Sequence, residues 1–426
     1  DGEADTAVSA VQELIDALPD EVTAKNAETV AEQLAAIDAA LEALTAEQLT
    51  KVDLTRYETV CAALTELSAV QEAPHANHCV CGKDSGTTVN GHTTHNTGTT
   101  WTAADSLPGT AGSYYLTQSV SGSWAVPEGE VNLCLNGQTI SDSIMVGSGA
   151  SLTLTDCTGK GRVQGEVLVN GGKFELYSGT ITGGVQVGIK GGTYQTGSSF
   201  TMYGGEITGN KAGSGSGGGV FLVGTTNQTD PPNFTMHGGT ISNNTAGASD
   251  GGGGGVYVGE KCSFTMDGGT ITGNTGAGIS ATHWPMPSIA TSNYYTNVNL
   301  YGGTISENTG AGIDAAYGRV TMAQQSSAIP VEIKNNKGGA ISLTRDGSTA
   351  NLGTGLITGN SGGKGAVALS AGSLTLTGDV KITGNSGANL YLASGKTVTL
   401  DKLGSGAQIG VTTESTAVPV VFAEAN

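Results

Sequence analysis

From Trp101 onward the apolar side chains come in brief runs, in which a large residue alternates with a small or polar one, and the runs recur in a fixed frame. The clearest copy is Ser263 to Asn274, SFTMDGGTITGN. Phe200 and Met202 precede GGEITGN, Phe234 and Met236 precede GGTISNN, Phe264 and Met266 precede GGTITGN, and Val298 and Leu300 precede GGTISEN. Fainter copies follow at Val331, Leu356 and Val380. Between copies lies a second, glycine-led apolar run: GGGVFLV at Gly217, GGGVYV at Gly253, GAGI at Gly310, GGAISL at Gly338, GAVAL at Gly365 and ANLYL at Ala388. Each unit thus holds about three short strands with the period of two that marks burial on one face. A single unit cannot bury that face alone, so the units must stack.

The fold this predicts is mainly β: a right-handed parallel β-helix, a solenoid, over residues 101–426 with an N-terminal cap. Like residues then sit one strand spacing apart, ~4.8 Å. Phe200, Phe234 and Phe264 should stack inside, as should Met202, Met236 and Met266. Ile181, Ile207, Ile241, Ile271, Ile305, Ile333, Ile357 and Ile382 mark the frame. Three residues beyond the marker stand Asn210, Asn244, Asn274, Asn308, Asn336, Asn360 and Asn385, which suits a ladder of side-chain amides. Gly184 stands where the first rung would be. Disorder would not keep Phe, Met, Ile and Asn in register.

Residues 1–73 carry a helical period instead. Val8, Val11, Leu14, Ile15 and Leu18 form one apolar face, Val30, Leu34, Ile37, Leu41 and Leu44 a second, and Leu54, Tyr57, Val60, Cys61, Leu64 and Leu67 a third. Thr45 and Gln48 suit a capping box. A small three-helix bundle is expected, with Cys61 as a buried thiol. Residues 74–100 form a Cys/His-rich linker holding His75, His78, Cys79, Cys81, His92 and His95. Cys79, Cys81, His92 and His95 can supply the four ligands of a structural zinc, with His75 or His78 as replacement. An unmetallated polar linker and a Cys79–Cys81 disulfide are the alternatives. From Trp101 to Cys157 the strands suit a layer that covers the first coil. Cys134 and Cys157 share an outward parity about one coil apart, and stand either as a disulfide or as two isolated thiols.

The formal net charge of −19 and pI near 4.5 argue against nucleic acid or an anionic membrane surface as partner. Only 13% of residues are charged, which argues against a charge-driven disordered chain. No apolar stretch reaches the roughly 18 residues of a membrane span, so no membrane insertion is expected. The chain opens at Asp1 without a signal peptide, as a mature or trimmed fragment would. Its Thr, Ser, Gly and Asn-rich composition is typical of exported proteins.

The glycine-led runs and the large apolar residue followed by xxN resemble the GGA[ILV] and FxxN repeats of polymorphic outer-membrane adhesins. From HCVCG through WAVPEGEVNLCLNGQTI to GGTITGN, roughly residues 75–400, the chain also resembles large β-helix surface proteins of anaerobic gut Gram-positive bacteria. Ile usually replaces Phe before xxN here, and no autotransporter barrel follows. The resemblance implies a secreted or cell-surface bacterial protein, adhesin-like, that binds a glycan or host-surface ligand.

Two sets of residues suit such a ligand. Tyr203, His237, Asp267 and Tyr301 each follow a buried Met or Leu and should share one outward column, either a sugar-facing strip or ordinary solvent-facing variety. The insertions GTTNQTDPPN and ATHWPMPSIATSNYYTN should leave the coil at one corner, bringing Trp284, His283, Tyr294 and Tyr295 near Asp230, either as a binding site or as a lid packed on the wall. The rival function is a polysaccharide lyase or glycoside hydrolase. Asp250, Glu260, Asp267, Glu307 and Asp314 would then have to supply two carboxylates about 5–9 Å apart. None stands in the motif context of pectin hydrolases or pectate lyases.

Overall fold

The computed structural model describes residues 2–19, 27–61, 63, 88–89, 92–93, 101–188, 196–212, 217–224, 229–247, 252–282, 295–323, 330–414 and 423–425. The chain divides into two compact units, Asp1–Thr99 and Thr100–Asn426.

In the N-terminal unit α1 spans Gly2–Asp16, α2 Ala27–Glu42 and α3 Ala46–Leu49, and the chain is helical again over 55–61. Val11, Ile15, Leu18, Val30, Leu34, Ile37 and Val60 bury together. Leu14, expected on the first face, is 43% exposed: the buried stripe is the narrower 11, 15, 18 set, at the spacing of one helix face. Cys61 is half-buried at the cluster's edge rather than within it. The Thr45 hydroxyl accepts from the Gln48 backbone N–H and the Gln48 side chain accepts from Thr45 N–H, at 3.4 and 2.8 Å. That box opens only the four-residue α3. The linker's described residues are Thr88–Val89 and His92–Thr93, which pair antiparallel.

The second unit is a parallel β-helix. Among the described residues its strands form three parallel sheets of 14, 11 and 12 strands, here sheets I, II and III. Each coil crosses them in turn, as at Ser199–Met202 (I), Glu206–Thr208 (II) and Val220–Val223 (III). The frame read from the sequence is the observed register: Phe200 pairs Phe234 and Phe234 pairs Phe264, and the marker isoleucines pair without a break from Ile181 to Ile382. Phe174 extends the aromatic stack by one coil, with ring centroids 5.0, 4.5 and 4.9 Å apart. The strands expected as the N-terminal cap of the β-helix, Gly112–Leu116, Gly129–Cys134 and Ala150–Thr155, are successive strands of sheet I. They repeat at a shorter interval than the later units, which disguises them in the sequence. Trp124 is buried there and donates its indole N–H to Pro108 O at 2.9 Å.

The asparagine ladder forms at the corner between sheets II and III. From Asn244 through Asn360 each Asn Oδ1 accepts both the backbone N–H and the Nδ2–H of the rung before it, at 2.6–3.1 Å. The corner geometry explains the residue that precedes each rung. Gly209, Asn243, Gly273, Glu307, Asn335, Gly359 and Gly384 all have φ between 55 and 70°, a left-handed conformation that Gly and Asn adopt at least cost. In the coil of Ile181 the left-handed residue is Gly184 itself, at φ 79°, so that turn closes differently and carries no rung.

Candidate functional site

Sheet I strands end with a Met or Leu turned inward, and the next residue begins the turn and faces out. Tyr203, His237, Asp267 and Tyr301 occupy this position in consecutive coils. Their backbone N–H groups donate to Leu176, Met202, Met236 and Met266 carbonyls at 2.7–3.0 Å. Tyr177, one coil earlier in the frame KFELYSG, belongs to the same column and was not among the residues expected there. The turns beneath pack tightly: a Cβ at Gly204 would lie 2.3 Å from Tyr177 O, so glycine is required.

From Tyr177 to Asp267 the column is in continuous contact. The Tyr177 and Tyr203 rings lie 4.4 Å apart at 17°, and the Tyr203 and His237 rings 4.9 Å apart at 22°. His237 Nδ1 then meets Asp267 Oδ1 and Oδ2 at 2.8 and 2.9 Å. Tyr177 is buried and Tyr203 is 41% exposed. Burial, followed by the charge of Glu175, pushes the Tyr177 phenol above its usual range. Because the rings cover one another's faces, the column presents ring edges, a phenol hydroxyl, an imidazole and a carboxylate to solvent. It is a ribbon of hydrogen-bonding groups at coil spacing rather than a row of open platforms.

Of the second set, Trp284, His283 and Tyr294 lie outside the described residues. Both insertions run from sheet III to sheet I, the first ahead of Asn233–Met236 and the second ahead of Thr296–Leu300. Their exits are two coils apart. Asp230 is exposed. Tyr295 carries the Arg319 guanidinium 3.9 Å over its ring, so one of its faces is already occupied.

Cys79, Cys81 and His95 also lie outside the described residues, and His92 is described only as a strand residue. Among the described residues no group of three or more His, Cys, Asp or Glu gathers as a metal cluster would. Cys134 and Cys157 are thiols with Sγ atoms 3.3 Å apart. They are 0% and 2% exposed yet stand outside the core cluster that holds Leu133 and Leu135, so their outward parity does not expose them. Asn136 and Gly137, which follow, are left-handed.

Of the candidate carboxylates, Asp250 lies outside the described residues; Asp267 follows a sheet I strand, Glu307 follows a sheet II strand, Glu260 follows a sheet III strand and Asp314 lies in sheet III. Asp314 lines a cavity of about 450 Å³ with Ser342 and the glycine-rich corner. Burial raises its carboxyl above the usual range, with Arg345 acting in the opposite direction.

No protein-family model, no curated protein and no solved structure matches the chain.

Proposed function

We propose that this chain is an extracellular or cell-surface binding protein, a right-handed, adhesin-like β-helix that recognises glycan or host-surface ligands through the Tyr177–Tyr301 column. The observation that carries this reading is the unbroken contact from Tyr177 through Tyr203 and His237 to Asp267. A binding surface works best when its groups are held in place before the ligand arrives. Here Tyr203, His237 and Asp267 each touch the column member of the preceding coil, and a phenol hydroxyl, an imidazole and a carboxylate are of the kind that pair with sugar hydroxyls.

The test is a glycan array probed with the whole chain, followed by titration of the hits. Tyr203→Ala and Asp267→Asn should each weaken binding at least about tenfold, roughly 1.4 kcal/mol, with Tm changed little. If Trp284→Ala abolishes binding while Tyr203→Ala leaves it intact, the site is the sheet III to sheet I insertion and not the column. Release of reducing sugar from a hit would identify an enzyme.

A further inference from the structure

Sheet III carries an outer column of its own. Gln186, Phe221, Tyr257, Ser280, Asp314 and Ser342 pair in register through consecutive coils. Each stands between two residues of the core cluster, as Ser280 does between Ile279 and Ala281, so its side chain turns out of the coil. Two members are unusual for an outer face. Ser280 is 0% exposed and its Oγ has no hydrogen-bond partner, which is costly for a buried hydroxyl. One coil on, the partly buried Asp314 carboxyl is held by no hydrogen bond among the described residues, and Arg345 is the charge that acts on it.

Cavities open along the same column. One of about 450 Å³ is lined by Asp314 and Ser342 on one side and by the corner of Gly276, Gly310 and Gly338 on the other; a second, of about 260 Å³, lies against Gln186 and Phe221. A Cβ on Gly310 would lie 2.7 Å from Gly276 C, and one on Gly338 2.6 Å from Ala311 N, so neither position admits a side chain and the corner stays bare backbone. The larger volume falls in the range of small-ligand sites, about 300–1,000 Å³. An anion would face Asp314 and a net charge of −19. A cation would find one carboxylate on which Arg345 already acts. An apolar molecule would leave Ser280 Oγ and the Asp314 carboxyl unpaired. A neutral ligand rich in hydroxyls meets every requirement, because a hydroxyl donates to a carboxylate and either donates to or accepts from a serine.

We propose that the outer column of sheet III binds an extended, neutral oligosaccharide lying along the solenoid axis. The sugar hydroxyls pair with Ser280, Asp314 and Ser342, and a ring packs on Phe221 or Tyr257. These two rings meet at 45°, with centroids 5.0 Å apart, and so do not cover each other as the Tyr177 and Tyr203 rings do. From Tyr257 to Ser342 the column runs three coil intervals, roughly 14 Å at the strand spacing. That is longer than one sugar ring and suits a short chain with about one ring per coil. This site is independent of the Tyr177–Tyr301 column, which follows sheet I.

The experiment titrates the whole chain by calorimetry with cellohexaose, mannohexaose and xylohexaose, and with hexagalacturonate as the acidic control. At least one neutral hexasaccharide should bind, its disaccharide at least about tenfold more weakly, and hexagalacturonate should not bind. Asp314→Leu should weaken the hexasaccharide at least about tenfold, and Ser280→Ala about fivefold. Ser280→Ala should leave the Tm of the free protein unchanged or higher, because the methyl replaces a hydroxyl without a partner; its loss of affinity is then not a loss of folding. Tyr203→Ala, on the other column, should leave this affinity as it is. Binding of no neutral hexasaccharide would overturn the proposal, as would equal binding of hexagalacturonate, or full affinity in both Ser280→Ala and Asp314→Leu. If Tyr203→Ala loses the hexasaccharide while those two variants keep it, the sugar sits on the column that follows sheet I, and sheet III holds no site.

Discussion

Asn274→Ala removes one rung from the middle of the ladder. Asn274 is fully buried. Its Oδ1 accepts Asn244 N–H and Nδ2–H, both at 3.0 Å, and its Nδ2 donates to Ile241 O at 3.1 Å and Asn308 Oδ1 at 3.0 Å. Alanine leaves two Asn244 donors facing a methyl group too far away to fill the space. A buried donor without a partner costs about 1–3 kcal/mol, so two put the loss at roughly 2–6 kcal/mol. Asn308 Oδ1 keeps a second donor in the Asn274 backbone N–H, so little is added there. At the ladder's C-terminal end, Asn385 is only half-buried and water can reach its neighbours; Asn385→Ala should cost about 1 kcal/mol. Solenoid coils respond to their nearest neighbours, so hydrogen exchange resolved by peptide is the suitable assay, supported by urea unfolding. Faster exchange should centre on the coils of Asn244, Asn274 and Asn308. If the two variants lose equal stability, or if Asn274→Ala loses less than about 1 kcal/mol, the amides are fillers and not a coupled ladder.

Three other outcomes can be checked. The neighbouring Cys157 thiol, together with burial, holds the Cys134 thiol far above the ordinary range. Iodoacetamide at pH 8 should therefore modify Cys61 well before Cys134 or Cys157, whereas oxidised glutathione should join the latter pair with a mass loss of about 2 Da. Labelling of Cys134 at the rate of Cys61 would refute the buried placement. The raised carboxyl of Asp314 favours the folded state while protonated; that contribution is complete below its unfolded pKa of about 3.9 and is lost as pH rises through the higher folded value. Asp314→Asn should therefore raise Tm at pH 7 and leave it unchanged near pH 3, and equal shifts at both would contradict the assignment. For the linker, elemental analysis of protein prepared without added metal should find about one zinc per chain bound through Cys79, Cys81, His92 and His95; metal-free protein with freely reactive Cys79 and Cys81 would exclude it.

The sequence by itself determined the solenoid and its register. In a parallel stack each residue lies above its counterpart one repeat away, so burial acts on the same position in every coil and leaves Phe, Met, Ile and Asn in a visible frame. The interruption at Gly184 was legible for the same reason. What only the tertiary structure decided concerns outward positions and ends. A period of two says which side chains leave the core but not what a turn or a neighbouring ring lays over them. Cys134 and Cys157 are thus buried despite their parity, and Tyr203 meets Tyr177 and His237 face to face, so the column offers edges and polar groups instead of open rings. Strands from Gly112 to Thr155 join sheet I although their shorter repeat hides the frame. The fate of the ladder's two ends rests on corner geometry: Asn389 folds back within four residues to complete one, while the left-handed turn at Gly184 supplies no rung at the other and Asn210 Oδ1 stays buried without a hydrogen bond.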